Sequence, residues 1–89
     1  MKQIFLDCNA VTDKATLHAA LKAALSLPEW YGGNLDALHD CLGELSEPTE
    51  LILQDYPLLT ERLGPYAAQF VYVLHVSTEE NPHFLVTLS

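Results

Sequence analysis

Basic residues are scarce in this chain. Four Lys and Arg stand against twelve Asp and Glu, leaving a formal charge of −8. That shortage excludes nucleic acid as a partner, because phosphate binding is driven by Lys and Arg. Cysteine is equally thin. Cys8 and Cys41 are the only two, too few for a disulfide framework and without metal-ligand spacing. Cys41 falls in an apolar helical pattern and reads as a small buried hydrophobe. Long apolar runs are missing as well. The stretch "MKQIFLDC" is too short for a secretory leader and meets an acid at Asp7. The longest uncharged run, Leu63 to Thr78, is interrupted by Gly64, Pro65 and His75 and falls short of the ~20 apolar residues of a membrane helix. Together these absences predict no membrane segment and a reducing, cytoplasmic setting. The sequence also contains no repeat, linker or low-complexity segment.

What is present is apolar: 49% of 89 residues, enough for one core and one domain over residues 1–89 without metal or disulfide staples. "QIFLDC" reads as a buried strand ending near Asp7. In "VTDKATLHAALKAALSLP", Thr12 or Asp13 can cap a helix that repeats Leu17, Leu21, Ala24 and Leu25 inward and ends before Pro28. "EWYGG" is a loop. A second helix starts after Asn34, with Leu35, Leu38, Leu42 and Leu45 on one side. "SEPTE" reads as a turn, "LILQ" as a second buried strand, and "YPLLTERLG" as a short helix opened by Pro57 and stopped by Gly64. From Pro65 the pattern is ambiguous. A helix would put Ala67, Phe70, Val71 and Leu74 inward, yet "FVYVLHV" is β-branched and aromatic and could pair with "HFLVTLS" as a hairpin. "HFLVTLS" itself is a strand. Strands separated by helices imply parallel pairing and a small α/β layer.

The second helix carries the chief functional signal. At 100° per residue Asp40 points away from the leucines, with Asp36, Gly43 and Glu44 beside it and His39 on the flank. Asp36 sits in the first turn, where the helix dipole favours an anion. Asp40 and Glu44 lie too far along for that benefit, and each i,i+4 acid pair costs a few tenths of a kcal/mol, about the worth of a matched pair. The plain alternative is a solvated face. Against it, Trp30 and Tyr31 lead onto the same helix, and these residue types dominate binding hot spots. One of the two rings is expected inside. Gly32 and Gly33 let a partner's backbone approach closely. A metal-dependent hydrolase built on Asp36, His39 and Asp40 is a weaker reading, because no fourth ligand or dry pocket accompanies the three. "DCNAV" has neither phosphate-cradling glycines nor a nucleophile elbow. His18, His75 and His83 read as surface or core-edge residues.

The run "LPEWYGGNLDALHDCL", with "TLHAALKAAL" before it and "VTLS" at the end, resembles the barstar family of intracellular inhibitors of barnase-type microbial ribonucleases. The resemblance implies a three-stranded parallel sheet packed by about four helices, with helix four following Pro65. It implies a non-enzyme, without cofactor or metal, that is monomeric when free and plugs the active site of a basic ribonuclease in a 1:1 complex. By similarity Asp40 would take the place of the substrate phosphate and Asp36 would meet a second cationic group. Asn34 and Gly32 would give polar and backbone contacts, and Trp30 would be the aromatic anchor. Tyr31, Leu35, His39 and Glu44 complete the expected contact set. The chain departs from the family at several points. His39 stands where the family has tryptophan, Trp30 where it has tyrosine, and Pro82 where it has a second cysteine. Val76 stands where it has a contacting acid, for which Glu79 or Glu80 is a candidate substitute. The binding-module alternative keeps the fold and gives it a basic partner that is not a nuclease.

Overall fold

A computed structural model describes residues 1–89. Strand β1 (Lys2–Asp7) runs into a 3-10 turn (Cys8–Ala10), followed by helices α1 (Lys14–Ala24) and α2 (Leu35–Gly43) and strand β2 (Thr49–Gln54). Helices α3 (Pro57–Leu63) and α4 (Pro65–Glu80) and strand β3 (Phe84–Leu88) complete the chain. The strands form one parallel sheet in the order β1-β2-β3. The expected α/β architecture of three parallel strands and four helices is therefore present.

Strand alternation decides what each face of the sheet meets. Leu6, Leu51, Leu53 and Phe84 point to a face where all four are buried. There they join Leu17 and Leu21 of α1, Leu38 and Leu42 of α2, Leu59 of α3, and Phe70 and Leu74 of α4. Each such side chain contributes about 1.5–3 kcal/mol through removal from water. The opposite face is open: Phe5 is 55% and Leu85 44% exposed. There Gln3 Nε2 and Thr87 Oγ1 donate to the Glu50 carboxylate at 3.1 and 2.6 Å, tying the three strands crosswise. Parallel sheets are usually covered on both sides; this one carries helices on one.

Helix α1 starts with a reciprocal cap. Thr16 N donates to Asp13 Oδ1 at 2.8 Å, and Asp13 N donates to Thr16 Oγ1 at 3.0 Å. It ends earlier than Pro28 alone would require. Ser26 takes a left-handed conformation (φ 54°), and Leu27 N donates to Lys22 O at 2.9 Å, closing the helix in a Schellman-type turn. Strand β2 begins at Thr49, inside the segment read as a turn, because the backbone there is already paired on both sides. Lys2 N donates to Pro48 O at 3.0 Å and Thr49 N to His83 O at 2.7 Å.

The ambiguous stretch is helical. Ala67, Phe70, Leu74 and Ser77 are buried along α4 at helical spacing, which a hairpin strand could not achieve. Gly64 (φ 57°) supplies the left-handed residue that separates α3 from α4, and proline opens both helices. Beyond α4, Asn81 Nδ2 donates to Leu42 O at 2.8 Å and Leu45 O at 3.0 Å. This residue satisfies the carbonyls at the C-terminal end of α2 and fixes α2 against α4.

Candidate functional site

Asn34 caps α2: its Oδ1 accepts from Ala37 N at 2.8 Å. With Leu38 and Leu42 fully buried and Leu35 half-buried, the helix has one settled orientation. Asp36, Asp40 and Glu44 are all exposed on its outer side. None makes an ion pair or side-chain hydrogen bond within the molecule, whose only close ion pairs are Lys22–Glu29, His39–Glu80 and His75–Glu79. The carboxylates neither turn inward nor meet a lysine. Their field reaches Cys41 beneath them, whose thiol is pushed up first by burial and then by Glu44 and Asp40. Both thiols are buried and inert; Cys8 is raised to about 11, chiefly by burial and further by Asp7 and Asp55.

The loop before α2 divides its two aromatics. Trp30 is 61% exposed, whereas Tyr31 is 8% exposed and belongs to the core. At least one of the two rings is expected inside, and the buried one is Tyr31. Leu35 is likewise turned partly onto the core by its place in the leucine stripe. Gly33 has φ +69°, a conformation glycine adopts freely. Gly32 is exposed, and a Cβ there would come within 3.2 Å of Asn34 Nδ2. The oxygen of Asn34 is committed to the cap, so a partner is left its amide.

His39 does not join Asp36 and Asp40 in a chelating set. Its Nε2 lies 2.5 Å from Glu80 Oε1, across from α2 to α4, and no group of three or more His, Cys, Asp or Glu side chains converges closely enough to hold an ion. Of the two candidate acids of α4, Glu80 is thereby set against α2, while Glu79 pairs with His75 on its own helix at 2.9 Å. Val76 is half-buried between them. Two contributors were missed from sequence. Asn81 carried no readable signal, because its role depends on where α2 ends in space. His18 did carry one: it stands three before Leu21 and seven before Leu25, within the inward stripe of α1, and it is buried.

The structure is thus an α/β layer that presents an acidic helix directly after an aromatic-glycine loop. A sequence model of the family described as Barstar (barnase inhibitor) matches residues 1–88. The chain is also 37% identical over 81 residues, 90% of its own length and 89% of the relative's, to a Bacillus subtilis (strain 168) protein named "Putative ribonuclease inhibitor YrdF". The chain belongs to the barstar family.

Proposed function

We propose that this protein inhibits a barnase-type ribonuclease by laying α2 and the loop Trp30–Asn34 into its active-site cleft. A ribonuclease cleft is built to stabilise a polyanion. A rigid helix carrying Asp36, Asp40 and Glu44, all free of internal partners, offers that cleft charge of the same sign without the conformational cost of RNA. Asp40 takes the position of a phosphate and accepts charge-assisted hydrogen bonds from Arg and His groups. Asp36 meets a second cation, Asn34 and Gly32 contribute polar and backbone contacts, and Trp30 packs at the edge of the cleft. The protein does no chemistry of its own in this reading. The observation that carries it is the unpaired, outward-facing acid row on a helix held down by leucines and by Asn81.

The test compares Asp40→Ala with Glu50→Ala in a titration of barnase and other basic microbial ribonucleases. Asp40→Ala is expected to weaken inhibition by about 2–5 kcal/mol, the range for removing one member of a desolvated charge pair, to which the barnase–barstar complex itself contributes. That is roughly 30-fold or more. Glu50 lies on the open face of the sheet and its removal should change inhibition by less than about threefold. Equal, small effects of both would sink the proposal. Recovery of a basic partner with no ribonuclease inhibited would replace it with the binding-module reading.

A further inference from the structure

The loop that carries Trp30 is attached to the core at one side chain. Between Glu29 and Gly33 the only side-chain hydrogen bond to the rest of the molecule is that of Tyr31, whose hydroxyl lies 2.5 Å from His18 Nδ1. His18 Nε2 lies 2.7 Å from the hydroxyl of Tyr66, in the first turn of α4. Lys14 closes the network from outside, its ammonium 4.5 Å from the centre of the Tyr66 ring. Gly33 backs onto the same histidine: a Cβ built there would sit 3.9 Å from His18 Cβ. A neutral imidazole offers one donor and one acceptor nitrogen, and a phenol can act as either, so both nitrogens are satisfied whichever carries the proton. His18 is 5% exposed, and the buried bond has no water to replace it.

We propose that His18 is the positioning residue of the binding loop: by pinning Tyr31 inward it holds Trp30 outward and fixes the Gly32–Gly33 backbone in the form a partner meets. This rests on the reading above, in which Trp30 contacts the ribonuclease. The benefit is preorganisation, since a loop already ordered loses less freedom on binding. His18 touches no partner atom; it acts through Tyr31.

Two measurements test it, each made where the variant is fully folded. In the free protein, Tyr31→Phe keeps the ring and deletes only the link. Hydrogen exchange at the Tyr31 amide, which donates to Pro28 O at 3.0 Å, should quicken at least tenfold, with the amides of β2 unchanged. His18→Gln, which can still offer a donor and an acceptor, should restore part of the protection that His18→Phe loses. With barnase as the probe, Tyr31→Phe should weaken inhibition about tenfold, and this loss should vanish in a Trp30→Ala background. Unchanged exchange in the loop would overturn the proposal, and so would losses from Tyr31→Phe and Trp30→Ala that simply multiply. If Trp30→Ala alone leaves inhibition untouched, the loop's contact role falls, and the exchange rates still decide whether the pin exists.

Discussion

Burial holds His18 below the ordinary range of a histidine, and this ties the stability of the fold to pH in one direction. The folded chain binds this proton less readily than the unfolded chain, where the value is near 6.5. The contribution is complete above that pH and is lost as pH falls from there towards the lowered folded value, with a limiting slope of about 1.4 kcal/mol per pH unit for one proton. Denaturation between pH 7.5 and 5 should show the unsubstituted chain losing more stability than His18→Gln. Parallel curves would mean that the folded chain takes up this proton as readily as the unfolded one. The histidine also marks the limit of what single residues disclose. Asp36, Asp40 and Glu44 could be placed outward from spacing alone, because helical geometry fixes their angle to the leucines. Which of Trp30 and Tyr31 turned inward could not be read, because the choice depends on a histidine thirteen residues earlier. That His39, on the flank of the acid row, meets Glu80 could not be read either, because Glu80 lies on a helix distant in sequence.

Helix α2 is assembled against its own electrostatics. Asp36 benefits from the positive end of the helix dipole, but Glu44 is the C-terminal cap residue, at the negative end, and stands i,i+4 from Asp40. A helix selected for stability alone would carry a lysine there. Glu44→Lys is expected to stabilise the free protein by about 0.5–1 kcal/mol at low salt, through the dipole and a new pair with Asp40, while slowing association with a basic ribonuclease. Denaturation and stopped-flow binding check the two halves separately, and a variant that loses stability would remove the trade-off. Element boundaries were legible where local chemistry decides them: a cap at Thr12 or Asp13, the cap at Asn34, the proline opening α3, the stop at Gly64. They were not where pairing or strain decides. Ser26 ends α1 in a conformation serine seldom takes, and β2 reaches back to Thr49 because β1 and β3 pair with the backbone there. The stretch from Pro65 was undecided because β-branched residues favour strand while Ala67, Phe70, Val71 and Leu74 fit one side of a helix; packing against α2 and α3 settles it.

At the scale of the molecule, the distribution of the few cations matters as much as the net charge of −8. Arg62 is spent on the carbonyls of Cys8, Asn9 and Val11, Lys14 lies over Tyr66, and Lys22 sits 3.7 Å from Glu29. Lys2 lines a shallow depression with Glu44 and Glu47 but pairs with neither. No base is therefore set against Asp36 or Asp40, and the field in front of α2 stays negative. Glu80, braced on His39, extends that field from α4. A basic partner is drawn towards such a surface before contact, and its encounter rate carries the salt dependence while its escape rate is set by the desolvated centre. Raising ionic strength from about 20 to 500 mM shortens the screening length from roughly 20 Å to 4 Å. The association rate with barnase should then fall at least tenfold and the dissociation rate change by less than about threefold. Asp40→Ala should reverse that division, raising dissociation far more than it slows arrival. Glu47→Gln, which removes an exposed acid just past α2 and outside the expected contact set, should lower only the arrival rate. An association rate indifferent to salt would leave shape as the sole basis of recognition and strip the acidic helix of its part in finding the enzyme.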